Sequence, residues 1–82
     1  PMADFEHESE KFGYINLDNL AGVQDALTKL GYDLGTVDGI DGPKTQNAVR
    51  QFQAYAGIKV DGIVGTQTRL ALKGELAQKA EE

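Results

Sequence analysis

Leu20, Val23, Leu27 and Leu30 recur at helical spacing, with Ala26 on the same face, and Gly31 follows them as a residue free to take positive φ. Asp18 or Asn19 can cap the start, so the pattern predicts a first helix from Leu20 to about Leu30. A second apolar stripe (Ala48, Val49, Phe52, Tyr55, Ala56) predicts a helix that begins at Pro43, with Gly42 as its N-cap, and stops at Gly57. A third, shorter helix is predicted from Thr66 to Lys73, with Ala71 and Leu72 on its apolar face and Gly74 interrupting it. Upstream, Phe12, Tyr14, Ile15 and Leu17 suggest an extended or turn-like arm laid on the domain. Residues 1 to 11 are polar without sustained periodicity and predict a flexible lead-in. The last eight residues favour helix but carry only Leu76 as an anchor, which predicts a frayed extension or linker stub. The expected organisation is therefore an acidic lead-in and arm over 1–16, a domain over 17–74 and a tail over 75–82.

Between the helices the pattern changes from periodic to repeated. Val37 to Val49 (VDGIDGPKTQNAV) matches the stretch from Val60 at seven of thirteen positions, clustered at Asp, Gly, Ile and Thr. Two copies are too few for a solenoid, so the expected fold is all-α: one small three-helix domain built on a pseudo-repeated loop-helix unit. In each copy an aspartate (Asp38, Asp61) can accept hydrogen bonds from turn N–H groups, while Gly39, Gly62 and Gly65 admit unusual backbone angles. Ile40 and Ile63 are expected to pin the loops inward, alongside Tyr32, Leu34 and Val37, and Thr45 and Thr68 to turn their hydroxyls back toward the loop. These residues read as the corner that positions a helix N-terminus. Function would then lie in the groove that the two corners frame, where backbone donors suit amide and carboxylate groups.

Composition narrows the field. With 82 residues, 40% hydrophobic, and no run near the length of a bilayer span, the chain is one small soluble domain without membrane insertion. The absence of cysteine excludes disulfides and thiolate metal sites. The net charge of −5 is made of −4 from Asp4, Glu6, Glu8 and Glu10, −2 from Glu75, Glu81 and Glu82 against Lys79, and +1 from residues 11–73, so the acidity belongs to the ends. The near-neutral middle has no basic stripe and is a poor match for nucleic acid. No signal peptide is visible. His7 stands alone in the lead-in and reads as a solvated tail residue. No nucleophile, base or metal constellation is evident, and Asp38 with Asp41 lacks the alternating ligands of a calcium loop, so neither catalysis nor a cofactor is expected.

Three linked motifs carry a resemblance: LGY at Leu30 to Tyr32, VDGIxGPxTxxAVxxFQ from Val37 to Gln53, and GIxVDGIVGxxT from Gly57 to Thr68. Together they resemble the peptidoglycan-binding domain found beside bacterial cell-wall hydrolases. The resemblance implies a non-catalytic module that holds its host, an attached or associated hydrolase or a secreted effector, on peptidoglycan at the cell envelope, in the periplasm or outside the cell. The stem peptide, the glycan or both would be the ligand. Lys44, Arg50 or Arg69 would face a stem carboxylate, and Tyr32 or Tyr55 an apolar surface. Asp41, Gly42 and Thr45 would contribute at the corner itself. Asp41 stands where the family often has an aromatic residue, which weakens the idea of a sugar ring stacked there. A protein-interaction or spacer domain of the same fold, without wall binding, is the alternative.

Overall fold

The helical periodicity is realised in the computed structural model, which describes residues 4–82, as α1 (Leu20–Lys29), α2 (Pro43–Ala56) and α3 (Thr66–Ala80). Asn19 caps α1, its side chain accepting the Gly22 N–H at 2.8 Å. Gly42 is the N-cap of α2 with Pro43 in its first turn, and Gly57 ends it at φ 73°, which lets the Ile58 N–H reach back to the Gln53 carbonyl at 3.1 Å. The three apolar stripes meet in one core, Val23, Ala26 and Leu27 from α1, Ala48, Val49 and Phe52 from α2, and Leu72 and Leu76 from α3.

Three expectations for the chain ends are corrected. A hairpin, β1 (Glu6–Ser9) and β2 (Gly13–Asn16), replaces the flexible lead-in and irregular arm; residues 1–3 of that lead-in lie outside the described residues. The pairing sets His7 opposite Ile15 and Glu8 opposite Tyr14, so one face carries His7 and Ile15 inward while Glu8 and Tyr14 stay exposed. Four residues per strand are too few for alternation to stand out in the sequence. The Leu17 N–H to Phe5 O bond at 2.7 Å extends the ladder by one pair, and two lysine contacts tie the hairpin to the helices: Lys29 Nζ to Phe12 O at 2.7 Å and Lys11 Nζ to Lys79 O at 3.0 Å.

His7 is consequently buried, not solvated, with Nε2 2.8 Å from Ser9 Oγ, and that hydroxyl oxygen also accepts the Phe12 N–H at 3.1 Å. Burial lowers the imidazole pKa below its usual 6.5, which keeps the ring neutral at neutral pH. The C-terminal segment is not frayed: α3 continues through Gly74 to Ala80. Gly74 is exposed and costs about 1 kcal/mol in helix propensity, whereas burying Leu76 contributes roughly 1.5–3 kcal/mol, so packing overrides propensity.

The join between hairpin and bundle is tight at Gly22, where a Cβ would stand 1.7 Å from the Asn16 carbonyl oxygen. Gly→Ala inside a helix ordinarily stabilises by up to about 1 kcal/mol. Here Gly22→Ala is expected to destabilise by roughly 2–4 kcal/mol, through a displaced hairpin, and to lower the melting temperature by about 10–20 °C. A thermal melt of the variant that equals or exceeds the parent would contradict this close approach.

Candidate functional site

Each repeat is held by a buried glutamine on the preceding helix. Gln24 of α1 accepts the Asp38 and Gly39 N–H groups on Oε1, at 3.0 and 2.8 Å. Its Nε2 faces the Ile40 carbonyl, Thr45 Oγ1 and Asp38 Oδ1 at 3.0, 2.9 and 3.2 Å. Gln53 of α2 repeats the set bond for bond. Its Oε1 accepts from Asp61 and Gly62 at 3.0 and 2.9 Å, and Nε2 reaches the Ile63 carbonyl, Thr68 Oγ1 and Asp61 Oδ1 at 3.1, 3.1 and 2.9 Å. Asp38 and Asp61 close the turns by accepting the Ile40 and Ile63 N–H groups, both at 2.9 Å. Those N–H groups, with the glutamine amides second, hold both carboxyls below their ordinary value near 3.8. Gly39 and Gly62 sit at φ 75° and 73°, where a side chain would be strained.

This arrangement overturns the inward placement of the isoleucines. The Ile40 and Ile63 backbones are pinned by the glutamines, but their side chains are 66% and 67% exposed. Val37 also lies outward, and of the loop's expected anchors only Leu34 is buried, with Tyr32 half-buried. Gln24 and Gln53, absent from the expected site, are its organising residues. The available signal was a glutamine on the apolar arc of a helix, beside Val23 in one case and Phe52 in the other, upstream of each Asp-Gly-Ile turn.

The corners differ in one respect that matters chemically. Fourteen residues separate Gln24 from Asp38, but eight separate Gln53 from Asp61. The longer first connection builds one wall of an open cavity of about 290 Å³, with Leu34, Ile40 and Pro43 as apolar lining and Asp38 and Lys44 as its charged groups. Of the expected ligand residues, this cavity gathers Gly42, Lys44 and Thr45. Thr45 is buried, with its hydroxyl engaged by Gln24. Asp41 is exposed next to the cavity, its carbonyl accepting from Gln46 Nε2 at 3.2 Å.

The remaining expected residues are elsewhere. Arg50 lies over Gly62 at the second corner, 3.0 Å from where a Cβ would be. Arg69 is committed to structure, with Nε donating to Leu17 O and a terminal nitrogen to Val64 O, both at 2.8 Å. Tyr32 packs edge-on to Phe52 at 6.2 Å, and Tyr55 is 63% exposed with its hydroxyl donating to Glu75 at 2.9 Å. Among the described residues no group of three or more His, Cys, Asp or Glu could hold a metal ion, and no helix is long and apolar enough to cross a membrane.

A family model described as "Putative peptidoglycan binding domain" matches residues 16–72. The chain is 44% identical to N-acetylmuramoyl-L-alanine amidase CwlL of Bacillus licheniformis, over 62% of this chain and 16% of the amidase. It is 44% identical to the type VI secretion system spike protein VgrG3 of Vibrio cholerae, over 67% of this chain and 7% of the spike protein. It is 43% identical to the spore cortex-lytic enzyme of Bacillus subtilis, over 67% of this chain and 18% of the enzyme. The chain thus spans less than a fifth of each of these relatives. No solved structure matches significantly.

Two outcomes follow from the corner geometry. Gln53→Leu strands the Asp61 and Gly62 N–H groups together and is expected to cost about 3 kcal/mol or more, visible as a large fall in melting temperature. Because the Asp38 and Asp61 carboxyls are depressed in the folded state, their stabilisation is complete above the ordinary value near 3.8 and is lost as pH falls through the folded value. Melting temperature should therefore drop on acidification below about pH 4, and the paired Asp38→Asn, Asp61→Asn variant, which keeps both Oδ1 acceptors, should flatten that drop. An unchanged acid profile in the paired variant would place the acid sensitivity in other groups.

Proposed function

Because the chain belongs to the peptidoglycan-binding domain family, we propose that it is a non-catalytic module that anchors an attached or associated protein to the bacterial wall. The observation that carries this reading is the recurrence of one small unit within much larger proteins, one named as an N-acetylmuramoyl-L-alanine amidase, one as a spore cortex-lytic enzyme and one as a secretion spike protein. A unit that accompanies different activities is suited to placement, since tethering raises the local concentration of its host on an insoluble substrate. Its working place would be the cell envelope, in the periplasm or at the outer wall.

The disposition of reactive groups supports a non-catalytic role. The single histidine is buried and bonded to Ser9, whose oxygen is also taken by a backbone N–H. Asp38 and Asp61 are spent largely on backbone turns. A net charge of −5 gives no bulk attraction to an acidic polymer, so recognition has to be local. The first corner offers that, with Lys44 and Gly42 in the cavity and Asp41 at its edge, while Arg50 and Tyr55 stand exposed for secondary contacts.

Sedimentation with purified insoluble peptidoglycan tests the reading: the domain should pellet with the wall at moderate salt. If it stays in the supernatant while an established wall binder pellets, a protein-interaction or spacer role takes its place. Fused to a wall hydrolase, the domain should raise activity on intact walls and leave turnover of soluble fragments unchanged, and an equal gain on both would contradict simple targeting.

A further inference from the structure

The pseudo-repeat duplicates a scaffold on connections of unequal length, and the longer one walls the cavity. At the second corner the connection is six residues shorter, and Thr66 and Gln67 stand where the first has Pro43 and Lys44. Leu34 and Gly35, which wall the cavity, belong to the longer first connection and have no counterpart. The first corner therefore has a longer connection than the second, anchored in the core by Leu34.

The cavity holds two opposite charges that do not pair. Lys44 lies back along Gly35, its Nζ 3.9 Å and Cδ 3.7 Å from where a Cβ on that glycine would be. Neither ion pair found among the described residues includes Lys44 or Asp38. Asp38 uses Oδ1 for the Ile40 N–H and the Gln24 amide, while Oδ2 takes neither of these bonds. A plain carboxylate entering here would meet Lys44 favourably and Asp38 unfavourably, and a plain amine the reverse. A zwitterion satisfies both, and the apolar lining of Leu34, Ile40 and Pro43 suits a short methylene chain behind it. At about 290 Å³ the cavity is at the small end of ligand clefts, which fits one side-chain end and not a pair of sugar rings.

We infer that the cavity of the first corner receives the free α-amino-carboxylate end of a diamino acid in the wall's stem peptide, its carboxylate against Lys44 and its ammonium against Asp38. This assignment rests on the wall-binding reading and specifies which part of the polymer is read. It gives Lys44 the position of an orienting charge and Asp38 a second task beside closing its turn.

The test is a titration of the isotope-labelled full chain, followed by amide chemical shifts, with three stem peptides. One ends in meso-diaminopimelate, one has lysine in its place and so lacks the distal carboxylate, and one has the distal amine acetylated; free alanine serves as the soluble zwitterion. The first peptide should shift Gly35, Gly42 and Lys44 and leave Gly65 and Gln67 unmoved. The lysine and acetylated peptides should bind roughly tenfold more weakly, as should the first peptide to Lys44→Gln or to Asp38→Asn. Lys44→Gln removes an exposed charge, so its melting temperature should match the parent, and Asp38→Asn keeps the turn acceptor.

Equal affinity for the three peptides, or no loss in Lys44→Gln, overturns the assignment. Free alanine binding as tightly as the stem peptide would make this a free amino-acid site and overturn it as well. Wall sedimentation separates the two levels: pelleting with the wall but no shift at the cavity leaves the anchoring reading standing and removes this one, whereas failure to pellet removes the anchoring reading itself.

Discussion

A primary amide presents two donor hydrogens and an acceptor oxygen on one rigid group, and the fold depends on where two of them are buried. Gln24 and Gln53 each receive two consecutive N–H groups of a turn on one atom and deliver their own hydrogens to the carbonyl and threonine that follow. A net hydrogen bond contributes only about 1 kcal/mol, but an orphaned buried donor costs the full desolvation of the group. The burial of these amides is tolerable because their partners are complete: no buried side-chain polar atom among the described residues lacks one. Shape is thereby exported from helix to loop, since the position of the glutamine dictates where the next helix can begin.

The middle helix belongs to both joints. Thr45, near its start, completes the corner opened by Gln24, and Gln53, two turns on, opens the next. Its length and phase thus set the relation between the corners. Arg69 extends the linkage by binding Leu17 ahead of α1 and Val64 ahead of α3 at once, so a residue that looked available for a ligand instead stitches the N-terminal segment to the second corner.

The limits of α1 and α2 were legible because caps are local chemistry: Asn19, Gly42 with Pro43, and Gly57 act where they stand. The wall-binding family was legible from the same turns. What escaped depends on contacts distant in sequence. The hairpin is too short to show its period and is held by partners such as Lys29 and Lys79. Leu76 looked isolated because its companions are on other elements. Ile40 and Ile63 looked like anchors because isoleucine usually is one, yet the inward-facing group at each position is the carbonyl. At the site, Lys44 was legible as a candidate charge, but that it lines one cavity with Asp38 required knowing how residues 31–36 fold back.

The unequal spacing of the two corners also has an entropic side. Closing fourteen residues onto Gln24 costs about 0.5 kcal/mol more chain entropy than closing eight onto Gln53, from the logarithmic dependence of loop closure on length. The longer connection of the first corner therefore carries the larger ordering cost, which the burial of Leu34 helps to offset.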